Sequence, residues 1–372
     1  MAKIQIGILG CGNISDVHSA SLMRLCGEFD VEVAAFADPL PGRRAFMAER
    51  FPDARQYESA MGLVAAEKLD IALVLLPTYL HAEHAIAAME RGMNVFMEKP
   101  VCLKRSEAKK LLEAERKSGK KAMVGQVVRF FSEYIYLKDL YEKQAYGRLK
   151  SIVLQRLTGG PKPKSPREVS WFRVPEKSGT AVLDFHIHDV DFMRSLLGEP
   201  QSVSVTSDAS AADQPTHIAA VYGYKDTFAL AEGTWGHAPA YRFGMGYRAN
   251  FERATVVYNS MSTPTVTLFD DDGGTLYPEM PKPLRSPGSP GYKGAGDAGG
   301  VSDADGVGGE AEKPGGGPYY EEFRYFLECV IADRPVAEAS LADAVKTYEL
   351  TMTELEMAYA QAGAPFPFDH GE

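Results

Sequence analysis

The feature that most constrains this chain is a glycine-punctuated turn near its start. Gly7-Ile8-Leu9-Gly10-Cys11-Gly12-Asn13-Ile14-Ser15 joins the apolar run Ile4 to Leu9 to a helical pattern, the strand–turn–helix context that a dinucleotide fingerprint requires. Gly10 permits the tight turn. Gly12 lets backbone approach a pyrophosphate at the helix opened by Asn13 and Ile14. Ser15 replaces the usual third glycine or alanine and is still small enough for close helix–strand packing. Such a turn alone also occurs between ordinary strands and helices, so Asp38 decides the reading. It ends the second strand about 26 residues after Gly12, near where a carboxylate would grip the ribose hydroxyls. A carboxylate there repels a 2′-phosphate, so NAD is expected over NADP, with Arg43 and Arg44 read as solvated charges on a helix start.

The first third of the chain alternates apolar runs with helical patterns, the signature of βαβ units and a parallel sheet. The runs are Ile4 to Leu9, Val31 to Ala37, Ile71 to Leu76 and Asn94 to Met97. Helices are expected over His81 to Arg91 and Ser106 to Ser118, stopped by Gly92 and Gly119, with His84 on an exposed face. Residues 1–124 are therefore read as an α/β Rossmann domain.

Beyond them the texture changes to alternating strands at 150–155, 201–207, 216–224, 227–235 and 251–258, with one helix from Thr180 to Leu197. Residues 125–372 are read as an α+β domain with a large, mainly antiparallel sheet. Within it, 271–318 is rich in Gly, Pro, Ser and Asp, and is expected to be a flexible insertion. Helices follow at Tyr319 to Ala332 and, after Ser340 as N-cap, at Leu341 to Ala362. A sheet with one uncovered face suggests a homo-oligomer, a dimer or tetramer.

With 372 residues, two domains are the default. The formal charge of −10 and the absence of a dense Lys/Arg run exclude nucleic acid as a partner. Cys11, Cys26, Cys102 and Cys329 are scattered without metal spacing, which fits a reducing compartment and no metal. No apolar stretch is long enough for a membrane span or a signal peptide, so a cytoplasmic location is expected.

Two further segments carry the chemistry: Glu98-Lys99-Pro100 after a strand, and the run from Gly179 through Asp184, His186, His188 and Asp191. Lys99 stands at the carboxyl end of a parallel strand, where open α/β sheets bind ligands, and its ammonium suits a developing alkoxide. Asp184 and His188 are four apart on an expected helix, an acid placed to orient an imidazole as general base. Arg129, Trp171, Arg173 and Tyr241 offer donors and a flat wall for a polyol.

Together with Pro77-Thr78-Tyr79-Leu80-His81, Arg91-Gly92, Arg129-Phe130 and Gly147, in that order along the chain, these motifs resemble the Gfo/Idh/MocA oxidoreductases. The resemblance implies Lys99, Asp184 and His188 as the catalytic set and His81 near the nicotinamide. It also places Pro77, Thr78, Glu98 and Lys99 among the cofactor contacts, and Lys99 and His188 against substrate. It implies hydride transfer between NAD(P) and a secondary alcohol or ketone of a sugar, cyclitol or polyol. Alternatives are a nucleotide-sugar 3-dehydrogenase or a non-catalytic NAD-sensing protein, although such a protein would be expected to lose the lysine or histidine. Where the family usually has Gly-Gly-Gly before the catalytic helix, this chain has Ser178-Gly179-Thr180. A metal cluster built from Asp184, His186, His188, Asp189 and Asp191 is disfavoured, because side chains on one helix fan around its axis.

Overall fold

The computed structural model describes residues 3–159, 171–210, 214–280 and 317–368. The chain opens as β1 (Ile4–Leu9), α1 (Ile14–Glu28), β2 (Val31–Ala37), α2 (Pro41–Arg50), β3 (Arg55–Tyr57) and α3 (Ala60–Ala66). It continues through β4 (Ile71–Val74), α4 (His81–Glu90), β5 (Asn94–Met97), α5 (Arg105–Ser118) and β6 (Ala122–Val124). All six strands are parallel, in the order β3-β2-β1-β4-β5-β6. The four expected strands are the apolar ones, buried along most of their length because helices cover both faces. The three-residue β3 and β6 are too short to show a period. Strand order reverses between β1 and β4, so a crevice opens at their carboxyl ends.

The second half holds α6 (Ser132–Glu142), β7 (Leu149–Leu157), α7 (Pro175–Ser178) and α8 (Ile187–Leu197). Then come β8 (Ser202–Ser207), β9 (His217–Gly223), β10 (Phe228–Thr234), β11 (Gly244–Phe251), β12 (Ala254–Asn259), β13 (Val266–Asp270) and β14 (Thr275–Leu276). Last are α9 (Pro318–Ile331) and α10 (Leu341–Gln361). The eight strands lie in the order β14-β13-β12-β11-β7-β10-β9-β8, antiparallel throughout except for the parallel β7–β10 pair.

Three expectations need correction. The strand read at 251–258 is the end of β11, a turn and most of β12. Glycines disguised β11, yet a Cβ on Gly246 would sit 2.3 Å from the Tyr258 carbonyl oxygen, so glycine lets the two strands approach. The single helix over 180–197 is broken: α7 ends at Gly179 with φ 79°, Thr180 has φ 65°, and a π-helical turn over Val182–His186 precedes α8. The insertion read at 271–318 contributes β14 in its first ten residues, and 281–316 lies outside the described residues.

One face of the large sheet, with Ile152, Leu154, Tyr222, Ala231, Tyr247 and Val256, is buried against helices. α9 turns the other way. Its Phe323 and Phe326 pack edge-on against Phe96 of β5 and share a core with α1, so residues 318–331 complete a face of the first sheet.

Candidate active site

The crevice is lined on one side by the turn after β1. Gly10 has φ 94°, and a Cβ there would lie 2.7 Å from the Leu75 carbonyl oxygen, so only glycine closes this turn. A Cβ on Gly12 would meet nothing within 4 Å, which leaves backbone presented to the crevice where Asn13 and Ile14 begin α1. Asp38 accepts from the Cys11 amide at 2.9 Å and the Leu40 amide at 2.8 Å, fixing the turn while its remaining lone pairs can serve ribose hydroxyls. Arg43 is not merely solvated: it donates to the carbonyls of Cys11 and Gly12 and pairs with Asp16. Arg44 binds the carbonyls of Asp38 and Pro39 and pairs with Glu58. Both guanidinium groups are thus engaged locally. These residues fit the adenosine and pyrophosphate end of a dinucleotide without a 2′-phosphate.

The opposite wall follows β4 and β5. Pro77 leads into a 3-10 turn over Thr78–Leu80, with Thr78 buried. His81 is buried between the two strand ends: its Nδ1 lies 2.8 Å from the Pro100 carbonyl oxygen and its Nε2 2.7 Å from that of Leu76, and a neutral ring donates to one of the two. Burial holds it below the usual histidine range. His84, expected on an exposed face, is also buried, with Nδ1 2.9 Å from the Leu80 carbonyl oxygen. Burial acts to raise Glu98, but the His18 imidazole at 2.7 Å, with Lys99 and His81 nearby, outweighs it and holds the carboxyl below its usual range. Glu322 of α9 joins them, with one donor atom from each of His18, Glu98 and Glu322 lying within 4.8 Å of the others.

Lys99 reaches across to the second half of the chain. Its Nζ donates to the Asp184 carbonyl oxygen at 2.5 Å and to Oδ1 at 3.0 Å. Each side chain is 17% exposed, a pair half-sheltered at the crevice. Asp184 makes no hydrogen bond to His188 among the described residues, and both of its bonds go to Lys99. A π-turn, closed by the Ile187 amide on the Val182 carbonyl, runs through Asp184. His188 makes no hydrogen bond among the described residues, and its Nδ1 is buried without a partner. Burial, with Lys99 and Arg156 adding to it, pushes this imidazole well below the usual range. It is neutral at neutral pH and able to accept a proton.

The expected substrate contacts separate. Arg129 is not one: its side chain is 7% exposed and locked to Asp191 at 2.6 and 2.7 Å and to Asp343 at 2.5 Å. Trp171 and Arg173 form a short turn ahead of α7, which packs beside Thr78–Leu80, and Trp171 stacks on Phe172 with centroids 3.9 Å apart. Tyr241 is exposed and lies against His237.

The residues once weighed as a metal cluster have other partners: Asp184 holds Lys99, Asp189 holds Arg156, Asp191 holds Arg129 and His186 holds Glu354. Sequence reasoning missed His18, Arg156, Glu322 and Glu354. Their partners lie tens to hundreds of residues away, and no local pattern marks them.

No helix among the described residues is long and apolar enough to cross a membrane. The oxidoreductase family with an NAD-binding Rossmann fold matches residues 4–126, and the C-terminal domain of the same family matches residues 134–257. A putative UDP-kanosamine synthase oxidoreductase subunit of Amycolatopsis mediterranei is 31% identical over 211 residues, 55% of this chain and 56% of the relative. The inositol 2-dehydrogenase of Salmonella typhimurium is 28% identical over 200 residues, 53% of this chain and 55% of the relative. The chain thus spans little more than half the length of these two relatives. In overall fold it is similar to a levoglucosan dehydrogenase solved with NADH and L-sorbose, with TM-score 0.78 at 19% identity over 97% of this chain and 98% of that one. Both halves of the chain being matched, it belongs to the Gfo/Idh/MocA oxidoreductase family.

Proposed function

We propose that this chain is an NAD-dependent oxidoreductase acting on a secondary alcohol or ketone of a sugar, cyclitol or related polyol. The observation that carries the reading is His188, a buried imidazole with an orphaned ring nitrogen beside the Lys99–Asp184 pair at the crevice. Nδ1 is shut in, whereas Nε2 is not among the buried unpaired atoms and makes no hydrogen bond among the described residues, so Nε2 is the nitrogen left for a substrate hydroxyl. Bound in the crevice, NAD supplies the hydride acceptor. Neutral His188 takes the hydroxyl proton as the carbonyl forms. Lys99 stabilises negative charge on the same oxygen, and Asp184 orients Lys99. Trp171 offers a flat wall for the ring of the substrate.

The test is a panel of polyols, aldoses, anhydrosugars and nucleotide sugars, read by cofactor absorbance with NAD and NADP. His188→Ala should lower turnover by roughly 10²-fold or more while NADH affinity stays nearly intact, and Lys99→Ala should affect both turnover and KM. Selective turnover of nucleotide sugars would move the reading to a nucleotide-sugar 3-dehydrogenase. NADH binding with no turnover of any panel member would favour an NAD-sensing protein.

The same reading includes a homo-oligomer. On the outer face of the large sheet, Val221, Leu230, Val153 and Val257 stand in one row across β9, β10, β7 and β12, interrupted only by Arg248 of β11. They are half-buried or exposed, an apolar stripe suited to a second copy of this chain. Leu230→Arg should shift the mass measured by light scattering to that of a monomer. A wild-type protein already monomeric at micromolar concentration refutes this part.

A further inference from the structure

Beneath the π-turn lie three fully buried side chains that the proposed reaction does not use: His186 at the end of the turn, Tyr222 of β9 and Glu354 of α10. His186 Nε2 is 3.1 Å from Glu354 Oε2 and 3.2 Å from the Tyr222 hydroxyl. Gly233 of β10 makes room for the ring, since a Cβ there would lie 2.8 Å from His186 Cβ. His186 Nδ1 has no partner. A proton on it would be an orphaned buried donor, so the ring proton sits on Nε2 and is donated to Glu354. The Tyr222 hydroxyl donates to the same carboxylate, and burial together with that carboxylate pushes the phenol well above its usual range.

Apolar residues would fill this space without leaving Glu354 Oε1 and His186 Nδ1 unpaired. The cluster grips the π-turn at its last residue, two positions after Asp184, from β9 on one side and α10 on the other. Asp184 stands in the middle of that turn, where its carbonyl and its carboxylate both meet Lys99 Nζ. We propose that His186, Glu354 and Tyr222 are a clamp that fixes the π-turn and thereby positions Asp184 on Lys99. They are positioning residues, and the proposal rests on the catalytic reading of Lys99, Asp184 and His188 given above.

The test needs no sugar substrate. Full-length wild type, Glu354→Leu, Glu354→Gln, Tyr222→Phe and Asp184→Asn are treated with acetic anhydride, and the acetylation rate of Lys99 is followed by peptide mass spectrometry. An ammonium held by two Asp184 oxygens must be released before it reacts. Lys121, with a side chain 19% exposed and paired with Asp333, is the matched control. Glu354→Leu should raise Lys99 acetylation several-fold toward the Asp184→Asn rate, with little further rise in the double variant and no change at Lys121. Glu354→Gln keeps an acceptor for His186 and Tyr222 and should stay near wild type. If Glu354→Leu does not fold, Tyr222→Phe removes one hydroxyl and should give a smaller, Lys99-selective rise. With a substrate from the panel, Glu354→Leu should lower kcat by up to roughly 10²-fold with a smaller change in KM. A wild-type Lys99 rate in the folded variants, or an equal rise at Lys121, overturns the clamp. His188→Ala and Lys99→Ala turnover tests the catalytic reading separately, so either can fail while the other stands.

Discussion

Arg129 offers the sharpest test of what the structure adds to the sequence, because the two assign it different work. As a substrate contact it would govern KM. In the structure its guanidinium grips Asp191 with two hydrogen bonds, and that carboxylate is 1% exposed with Thr347 Oγ1, at 2.9 Å, as its other hydrogen-bond partner. Removing one partner of a buried ion pair costs about 3–5 kcal/mol, mainly from the charge left behind. The Thr347 bond persists in Arg129→Leu, and Asp343 is a third exposed and keeps Arg194 at 3.4 Å. The lower end, about 3 kcal/mol, therefore applies. For a chain of this size that is a fall in melting temperature of roughly 4 °C. Differential scanning calorimetry measures it, with KM determined well below the transition. Arg129→Leu combined with Asp191→Leu should recover much of the loss, since no unpaired charge remains. A melting temperature within about 1 °C of wild type, with KM raised, would refute the structural role and restore the substrate contact.

Titration of both cofactors should show NAD bound more tightly than NADP, and Asp38→Ser should weaken NAD about tenfold by removing a charged acceptor. An NADP preference abolished by Arg43→Ala would reverse the assignment. Burial lowers both His188 and His81 in the folded state, so the unfolded chain takes up protons first as pH falls. Their stability contribution is complete above about pH 6.5 and declines below it by up to ~1.4 kcal/mol per pH unit for each histidine, until the folded values are reached. Denaturant titrations across this range should show a shallower decline in His188→Asn; an unchanged slope contradicts a buried neutral His188. Gly179→Ala forces a side chain into φ 79° with its Cβ 2.6 Å from Leu183, and should cost about 1–3 kcal/mol in the same assay.

What was legible in the sequence is what repeats or punctuates locally. The runs at Ile4, Val31 and Asn94 are strands with the expected limits, and Gly92 and Gly119 stop helices at positive φ. Ser340 caps α10 by accepting from the Asp343 amide. Asp184 and His188 are four apart, but spacing does not name a side chain's partner: Asp184 turns to Lys99, 85 residues back, and the π-turn through it leaves no mark in composition. The left-handed Thr180 shows how this chain manages without Gly-Gly-Gly: its amide donates to Ser178 Oγ and its own Oγ1 accepts from the Val182 amide. Arg129 was misread for the same reason. Its spacing says nothing of Asp191, 62 residues on, or Asp343, 214 residues on.

Those long-range partners converge on one element. α10 presents Asp343 to Arg129 and Arg194, Glu349 and Glu356 to Arg105 of α5, and Glu354 to His186. Its carboxylates thus hold the Rossmann half, the turn before α6, α8 and the π-turn to a single rod. Only the Glu354 pair is fully buried; the Asp343, Glu349 and Glu356 side chains are 32%, 39% and 29% exposed, so their pairs add little stability and serve mainly to link the elements. Lys99 comes from a strand end of the first sheet and Asp184 from the second half of the chain, so their 3.0 Å contact depends on that alignment. The Arg105 pairs set the first sheet against α10, and the His186 contact sets the π-turn against the same helix. The proposed clamp thus places control of Asp184 on a helix outside the turn itself, and it accounts for Glu354, the one acidic side chain of α10 that is fully buried among the described residues.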